Sequence, residues 1–251
     1  MKRATSPRAV RPANRTRATT PAKAATPSIV RAARTAGGAH SGLSDAARAR
    51  LEEMIVSLEL APGSIWSEAE LSAKLGIGRT PVREALQRLE NDHLVRILPR
   101  HGAQITEINV VEQLLLLELR RTLDRLIAVD AARRCTPQER SQLLKMAERL
   151  EAFDSDDLLA YLRQHYELKN FLADCARNPF VARAVMPCYA MSRRFYYLHY
   201  RQVQDIAVAT KHHAAVIRAV VMGKEKAAAE ASDRLMDYVE ELTRATVTGR
   251  F

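Results

Sequence analysis

The chain has no apolar run approaching the roughly 20 residues that cross a bilayer, so no transmembrane helix is expected. Its first 40 residues contain no acidic side chain and no apolar stretch of the about 7–15 residues that a secretory signal requires. Cysteine is sparse. Cys135, Cys175 and Cys188 are odd in number and lack metal-ligand spacing, which leaves reduced thiols of a cytosolic protein as the expectation. Glycine is scarce, at 9 of 251 residues, and aromatic residues make up only 5%. The remainder is rich in Ala, Leu, Arg and Glu and leans towards helix. With 47% hydrophobic and 27% charged residues, it has the proportions of a globular protein of two domains, or of one domain with a tail.

The net charge of +10 is unevenly placed. Residues 1–40 carry +9, residues 41–110 carry −2 and the rest carry +3. The basic character therefore belongs to the N-terminal segment and does not identify the folded part as a nucleic-acid binder. Residues 1–42 mix Pro, Ala, Thr, Arg and Gly with almost no large apolar side chain. They bury too little to offset the entropy of ordering and read as a disordered basic tail. Such a tail is either simply solvated or an arm adding salt-sensitive affinity for phosphates. Its composition also resembles a transit peptide, which the motifs below oppose.

From Ser44 onward periodicity takes over. Ser44 or Asp45 caps a helix carrying Leu51, Met54, Ile55 and Leu58 at helical spacing, ended by Ala61-Pro62-Gly63. Ser67 and Glu70 form a capping box for a second helix, which Gly76 closes. Gly78-Arg79-Thr80 leads into a third helix with Pro81 in its first turn and Val82, Ala85, Leu86 and Leu89 on its inner face. Two short alternating runs, 94–98 and 103–106, flank Pro99-Arg100-His101-Gly102 and read as a β-hairpin. After Asn109 only helical periodicity remains, over 110–133, 137–152, 156–176, 179–200, 203–223 and 224–247, with Pro187 expected to kink or split its helix. The expected fold is mainly α. A winged helix-turn-helix over 43–108, three helices plus a β-hairpin, precedes an all-α antiparallel helical bundle over 109–247.

The residues Leu60-Ala61-Pro62-Gly63, Glu68, Leu71, Leu75-Gly76, Arg79 to Leu86 and Leu89, with His101-Gly102 in the wing, resemble the DNA-binding domain of the GntR family across about residues 46–107. The resemblance implies DNA contacts at Arg79, Thr80, Arg83, His101 and Gly102. The chemistry agrees. Arg79 and Arg83, four apart, share one face at the start of a recognition helix, and each guanidinium is a planar fork suited to a guanine edge or a phosphate. Thr80 and the helix N-terminal amides suit a phosphate. Arg100, His101 and Gly102 at the hairpin tip would meet the minor groove, Gly102 allowing close backbone approach. The blander alternative is two exposed arginines pairing with Glu84 or Glu90. Gly78 stands where the family usually has Ser or Thr, and Ala69 where many members have Arg. Trp66 stands where Leu is usual and reads as a core residue.

The helical half resembles, over about residues 110–245, the FCD-type domain of the FadR branch of that family. The resemblance rests on Glu118-Leu119-Arg120, Leu123-Asp124, Asn178-Pro179-Phe180 and His213, Val216, Val220 and Gly223. It implies a cavity for a small organic acid, often with a divalent metal held by one Asp and three His. The matching positions here are His165, Lys169, His213 and Leu235. Lysine is a poor ligand and leucine is none, and His199 and His212 have no assigned place, so no metal is expected. Lys169 is instead expected to supply the charge a metal would, with Arg120 clamping the same effector carboxylate and His165 and His213 adding hydrogen bonds. The alternative leaves Lys169 on the helix surface beside His165 or Glu167. The aromatic run Met191–Tyr200 is expected to wall the pocket or pack between helices, with Arg193 and Arg194 contributing if either points inward.

The expected protein is thus a dimeric, cytoplasmic, nucleoid-associated regulator, more readily a repressor, that binds a palindromic double-stranded DNA operator. A small organic acid effector controls it, without metal cofactor or membrane. An effector-independent architectural DNA-binding protein is the alternative. An enzyme is not expected, because no nucleophile–base pair, phosphate loop or complete metal set is present.

Overall fold

A computed structural model describes residues 28–154, 157–199 and 206–248. The chain divides into two compact units, 1–39 and 40–251, and the architecture below is that of the second. Most of the basic tail expected over 1–42 lies outside the described residues. From Ser28, however, the backbone is already helical, and α1 runs over Ser28–Val56. Ser44, expected as a cap, is a buried residue inside it. The stretch before Ser44 carries Gly37, Gly38 and Gly42 among its alanines and arginines, so local propensity does not by itself account for this longer helix.

The helix also ends earlier than its apolar spacing suggests. Leu58 sits past α1 with φ 61°, and Leu60 takes the core position, its N–H bonded to the Met54 carbonyl at 3.0 Å. A two-residue strand follows, β1 (Ile65–Trp66), then α2 (Glu68–Leu75) and α3 (Arg79–Asn91). Helix α2 has the expected ends: the Ser67–Glu70 capping box makes both reciprocal bonds, and Gly76 closes it at φ 66°. Strands β2 (Val95–Leu98) and β3 (Gly102–Ile105) form the wing, and β1 adds to β3 so that the sheet order is β1-β3-β2, antiparallel throughout. Two residues show no alternation, so β1 was invisible to periodicity. Leu51, Ile55, Leu71, Val82, Leu86, Leu89, Val95 and Ile105 form the core of this winged half. Trp66 packs at its edge, its indole N–H donating to Ser64 Oγ at 2.9 Å.

Six helices complete the chain: α4 (Val110–Arg134), α5 (Pro137–Glu151), α6 (Leu158–Cys175), α7 (Pro179–His199), α8 (Ile206–Val221) and α9 (Glu225–Thr248). Helix α4 packs along α9 and touches α6, α7 and α8, while α5 lies on α6 and α8. The starts expected at 156 and 203, and Tyr200, fall outside the described residues. Pro187 does not split α7, which is continuous through it. A proline there forfeits only the amide that would bond the Arg183 carbonyl, and packing on both sides holds the helix. Val185 and Tyr189 belong to the bundle core, whereas Ala190 belongs to the winged core, so α7 is shared by the two halves. Among the described residues, no helix is long and apolar enough to cross a membrane.

Gly102, assigned by its sequence context to DNA approach, has an internal reason to be glycine. Its φ is 102°, and a Cβ there would collide with the carbonyl oxygen of Trp66. The β1–β3 pairing closes the sheet only because that atom is missing. Gly102→Ala is therefore expected to lose about 2 kcal/mol of stability, read from the midpoint of urea unfolding; an unchanged midpoint would show that the wing is not strained there.

Candidate functional site

The residues expected to meet DNA, Arg79, Thr80, Arg83, Arg100 and His101, are exposed, and Gly102 is half-buried. Gly78, extended at φ −61° and ψ 157°, caps α3 without a side chain, so the first amides of Arg79 and Thr80 have no cap partner. Pro81, buried, carries no N–H. Arg79 is exposed and has no hydrogen-bond partner among the described residues. Arg83 differs. Its Nε and a terminal nitrogen donate to the two oxygens of Glu68 at 2.8 and 2.6 Å, a bidentate pair across α2 and α3. Neither Glu84 nor Glu90 is its partner; Glu90 instead accepts the Ile97 amide at 2.7 Å. The pair aims the Arg83 fork and leaves one terminal nitrogen outward. Arg100 (φ 68°) and His101 are exposed at the wing tip, where the His101 amide closes the turn onto the Leu98 carbonyl.

The four residues singled out in the bundle converge. Arg120 from α4, His165 and Lys169 from α6, and His213 from α8 line one cavity of about 90 Å³. Leu158, Leu162, Ile206, Val239 and Leu242 supply apolar wall. Lys169 is not on the surface, as one alternative held: it is 5% exposed. Its ammonium donates to Asp124 Oδ1 at 2.8 Å, and Arg120 donates to Asp124 Oδ2 at 3.1 Å and to Ser192 Oγ at 3.0 Å. The Tyr189 hydroxyl also donates to Asp124, beneath both cations. Asp124 was not assigned a role from sequence, although its spacing of four from Arg120 on a helix was a usable signal. Burial alone would raise its pKa, but Lys169 and Arg120 outweigh this and hold it at about 2.

Asp124 thus already occupies the ammonium that was expected to meet an effector, yet one carboxylate faces two cations. The polar floor keeps one positive charge in excess, and Arg120 Nε is buried with no hydrogen-bond partner among the described residues. The positions that hold a metal in related domains do not fit one. His165 Nε2 and His213 Nδ1 face each other at 3.4 Å, Lys169 is ion-paired, and Leu235 is core hydrocarbon. His212, for its part, stacks on Tyr238.

Arg193 also lines the cavity, and it faces two ways. Its terminal nitrogens donate to Glu52 at 3.4 Å and Glu53 at 3.0 Å, both on α1, while Nε is buried and unpartnered. Glu52 is paired in turn with Arg48, which holds Asp92, the C-cap of α3, at 2.6 Å. Arg194 points away from the cavity and donates to the carbonyls of Thr106 and Glu107 at 2.9 and 3.1 Å. Phe195, within the aromatic run, is fully buried packing, whereas Tyr196 joins the cavity wall.

Burial, reinforced by Lys169 and Arg120, drives the His165 pKa down to about 3, and burial with His165 beside it drives His213 well below the usual value. Both rings are neutral in the folded protein. The unfolded chain takes up their protons first, so stability is complete above about pH 6.5 and falls as pH drops; at pH 5 His165 alone accounts for about 2 kcal/mol. Asp124 acts later, its contribution lost only below about pH 4. Urea unfolding at pH 7 and pH 5 should show this drop, and His165→Gln should make it shallower. An equal drop in both proteins would place the protonation elsewhere.

Comparison with known proteins places both halves in described families. The family profile described as "Bacterial regulatory proteins, gntR family" covers residues 43–105, and that of the FCD domain covers 115–238. An HTH-type transcriptional regulator from an unstable DNA locus of Streptomyces ambofaciens is 43% identical over 60 residues, 24% of this chain and 25% of that protein. The HTH-type transcriptional repressor RspR of Escherichia coli K12 is 28% identical over 129 residues, 50% of this chain and 57% of RspR. The chain thus spans about a quarter and just over half of the length of these two relatives. The solved structure of E. coli McbR/YncC superposes with a TM-score of 0.73 at 16% identity, covering 82% of this chain and 98% of McbR, a likeness of fold. The matched profiles take in the winged half and the helical bundle in the order built above, and the chain belongs to the GntR family of bacterial transcription regulators, not enzymes, with an FCD domain as its C-terminal part.

Proposed function

We propose that the protein is a cytoplasmic, nucleoid-associated, dimeric repressor that grips a palindromic operator and is controlled by a small carboxylic acid held in the bundle cavity. The observation that carries the effector is the unbalanced floor: two buried cations on one carboxylate, with an unpartnered guanidinium nitrogen in an otherwise largely apolar cavity. A buried polar group without a partner costs free energy that a ligand carboxylate recovers. The volume suits a short acid. The repressor sign follows the E. coli relative named as one. Arg79, Thr80 and Arg83 contact the major groove; Arg100, His101 and Gly102 contact the wing side, and the acid-free N-terminal segment adds salt-sensitive affinity. No metal takes part.

Two features support dimerisation and control. Val111, Leu115 and Leu119, spaced by four along α4, are 65%, 59% and 50% exposed, an apolar stripe that a second copy would cover. Arg193 joins the cavity to α1, and Glu52 and Arg48 continue the ion pairs to the end of α3. An acid drawing on Arg193 Nε shifts the hold of that guanidinium on Glu52, and with it the recognition helix.

A thermal-shift screen of short carboxylic acids, with and without chelator, tests the effector. A chelator-insensitive rise is expected, reduced at least tenfold in affinity, about 1.4 kcal/mol, by Lys169→Met. No response to any acid would favour the effector-independent architectural binder, and a response only with added metal would overturn the reading of the floor. On duplexes selected from a random pool, Arg79→Ala should lose sequence preference. Glu52→Gln should still bind the acid yet release DNA no longer in response to it. For the dimer, the double change Leu115→Glu and Leu119→Glu should sediment as a monomer where the parent does not; an unchanged dimer would move the interface off α4.

A further inference from the structure

Two of the three cysteines, forty positions apart in sequence, meet where three helix ends converge. Cys135 follows α4 and precedes α5, and Cys175 is the last residue of α6. Their Sγ atoms and a carboxylate oxygen of Glu139 all lie within 4.8 Å of one another. Cys135 is 8% exposed and Cys175 fully buried. Such a triad resembles a cation site, but its carboxylate is already spoken for. Glu139 Oε2 accepts the Thr136 amide at 2.9 Å, in the capping box of α5, and Oε1 accepts from Arg177 at 2.7 Å. Two sulfurs alone fall short of the four ligands a thiolate-bound metal takes. What the place retains is a pair of adjacent thiols under two guanidinium groups, those of Arg140 and Arg177.

We propose that Cys135 and Cys175 are a reactive dithiol that a hydroperoxide converts into an intramolecular disulfide. The hydrogen bond from Cys175, then Arg140, holds the Cys135 thiol below its ordinary pKa against the opposing effect of burial, while that bond and burial push Cys175 up. Cys135, the less deeply buried of the two, is therefore the nucleophile and Cys175 the resolving thiol. The Cys135 thiolate attacks one peroxide oxygen; the S–O bond forms, the O–O bond breaks, and the departing oxygen takes a proton as water or alcohol. The Cys175 sulfur then attacks Cys135, the S–S bond forms, and hydroxide leaves with the Cys175 proton as water. The thiols lose two electrons and the peroxide gains them. The sulfurs have only to approach to about 2.05 Å. The bond joins the end of α4, which carries Arg120 and Asp124, to the end of α6, which carries His165 and Lys169. Cys188 lies apart on α7, its thiol donating to the Ala184 carbonyl at 3.4 Å.

The test treats the reduced full-length protein with hydrogen peroxide, with and without chelator, then counts thiols in denaturant and maps tryptic peptides. Thiols should fall from three to one, the mass by two hydrogens, and a linked peptide should join residues 135–140 to 170–177, reversed by dithiothreitol. Cys175→Ser should stop at a sulfenic acid on Cys135, trapped by dimedone. The wild-type peptide map decides the matter alone if that variant does not fold. No thiol loss, equal loss at Cys188, links only between molecules, or thiols that become titratable only when a chelator removes a bound metal would each overturn the proposal.

Discussion

Asp124 is the charge on which the bundle depends. It lies buried among three helices and receives Arg120 from its own α4, Lys169 from α6 and Tyr189 from α7. Either cation alone in that interior would be desolvated without compensation, and removing a partner from such a cluster typically costs about 3–5 kcal/mol. Burial keeps the neighbouring imidazoles neutral, and the two cations beside them add to the effect. One carboxylate against two cations therefore sets the geometry of the cavity floor. Lys169 and Arg120 share Asp124 as their internal counter-ion.

The second constraint is the use of α7 by both halves. Its apolar residues belong to two cores, and consecutive arginines on it serve different partners. Arg193 turns to the cavity and to α1, while Arg194 holds the 106–107 segment that leaves the wing. Neither side chain extends to solvent; they are 5% and 3% exposed. Movement of α7 by an ångström would be felt in α1 and in the strand-to-α4 connection together, because close-packed interiors transmit displacement instead of absorbing it.

Between α2 and α3, Glu68 gives the exposed Arg83 a partner within the chain. The pair is surface-exposed and contributes little stability. Its value lies in orientation, since a guanidinium fixed by two of its nitrogens presents the third in one direction. Arg79, without a side-chain hydrogen bond among the described residues, retains the freedom to adapt.

The sequence by itself determined the order and type of the elements from residue 44 onward, apart from β1. Capping boxes at Ser67, a left-handed glycine at 76, the Pro-Arg-His-Gly turn and the 3.6-residue spacing of apolar side chains are local signals, and each acts within a few residues of where it is read. Matched offsets likewise located Arg120, His165, Lys169 and His213 as inhabitants of one cavity. Tertiary structure decided whatever depends on contacts between distant segments. Strand β1 exists because Gly102 leaves room for it, Arg83 pairs across 15 positions with Glu68, Asp124 rather than a ligand takes Lys169, and Cys135 finds Cys175. Charges and thiols choose partners by distance in space and by the loss of water around them. Neither quantity is written in the spacing of residues along a chain.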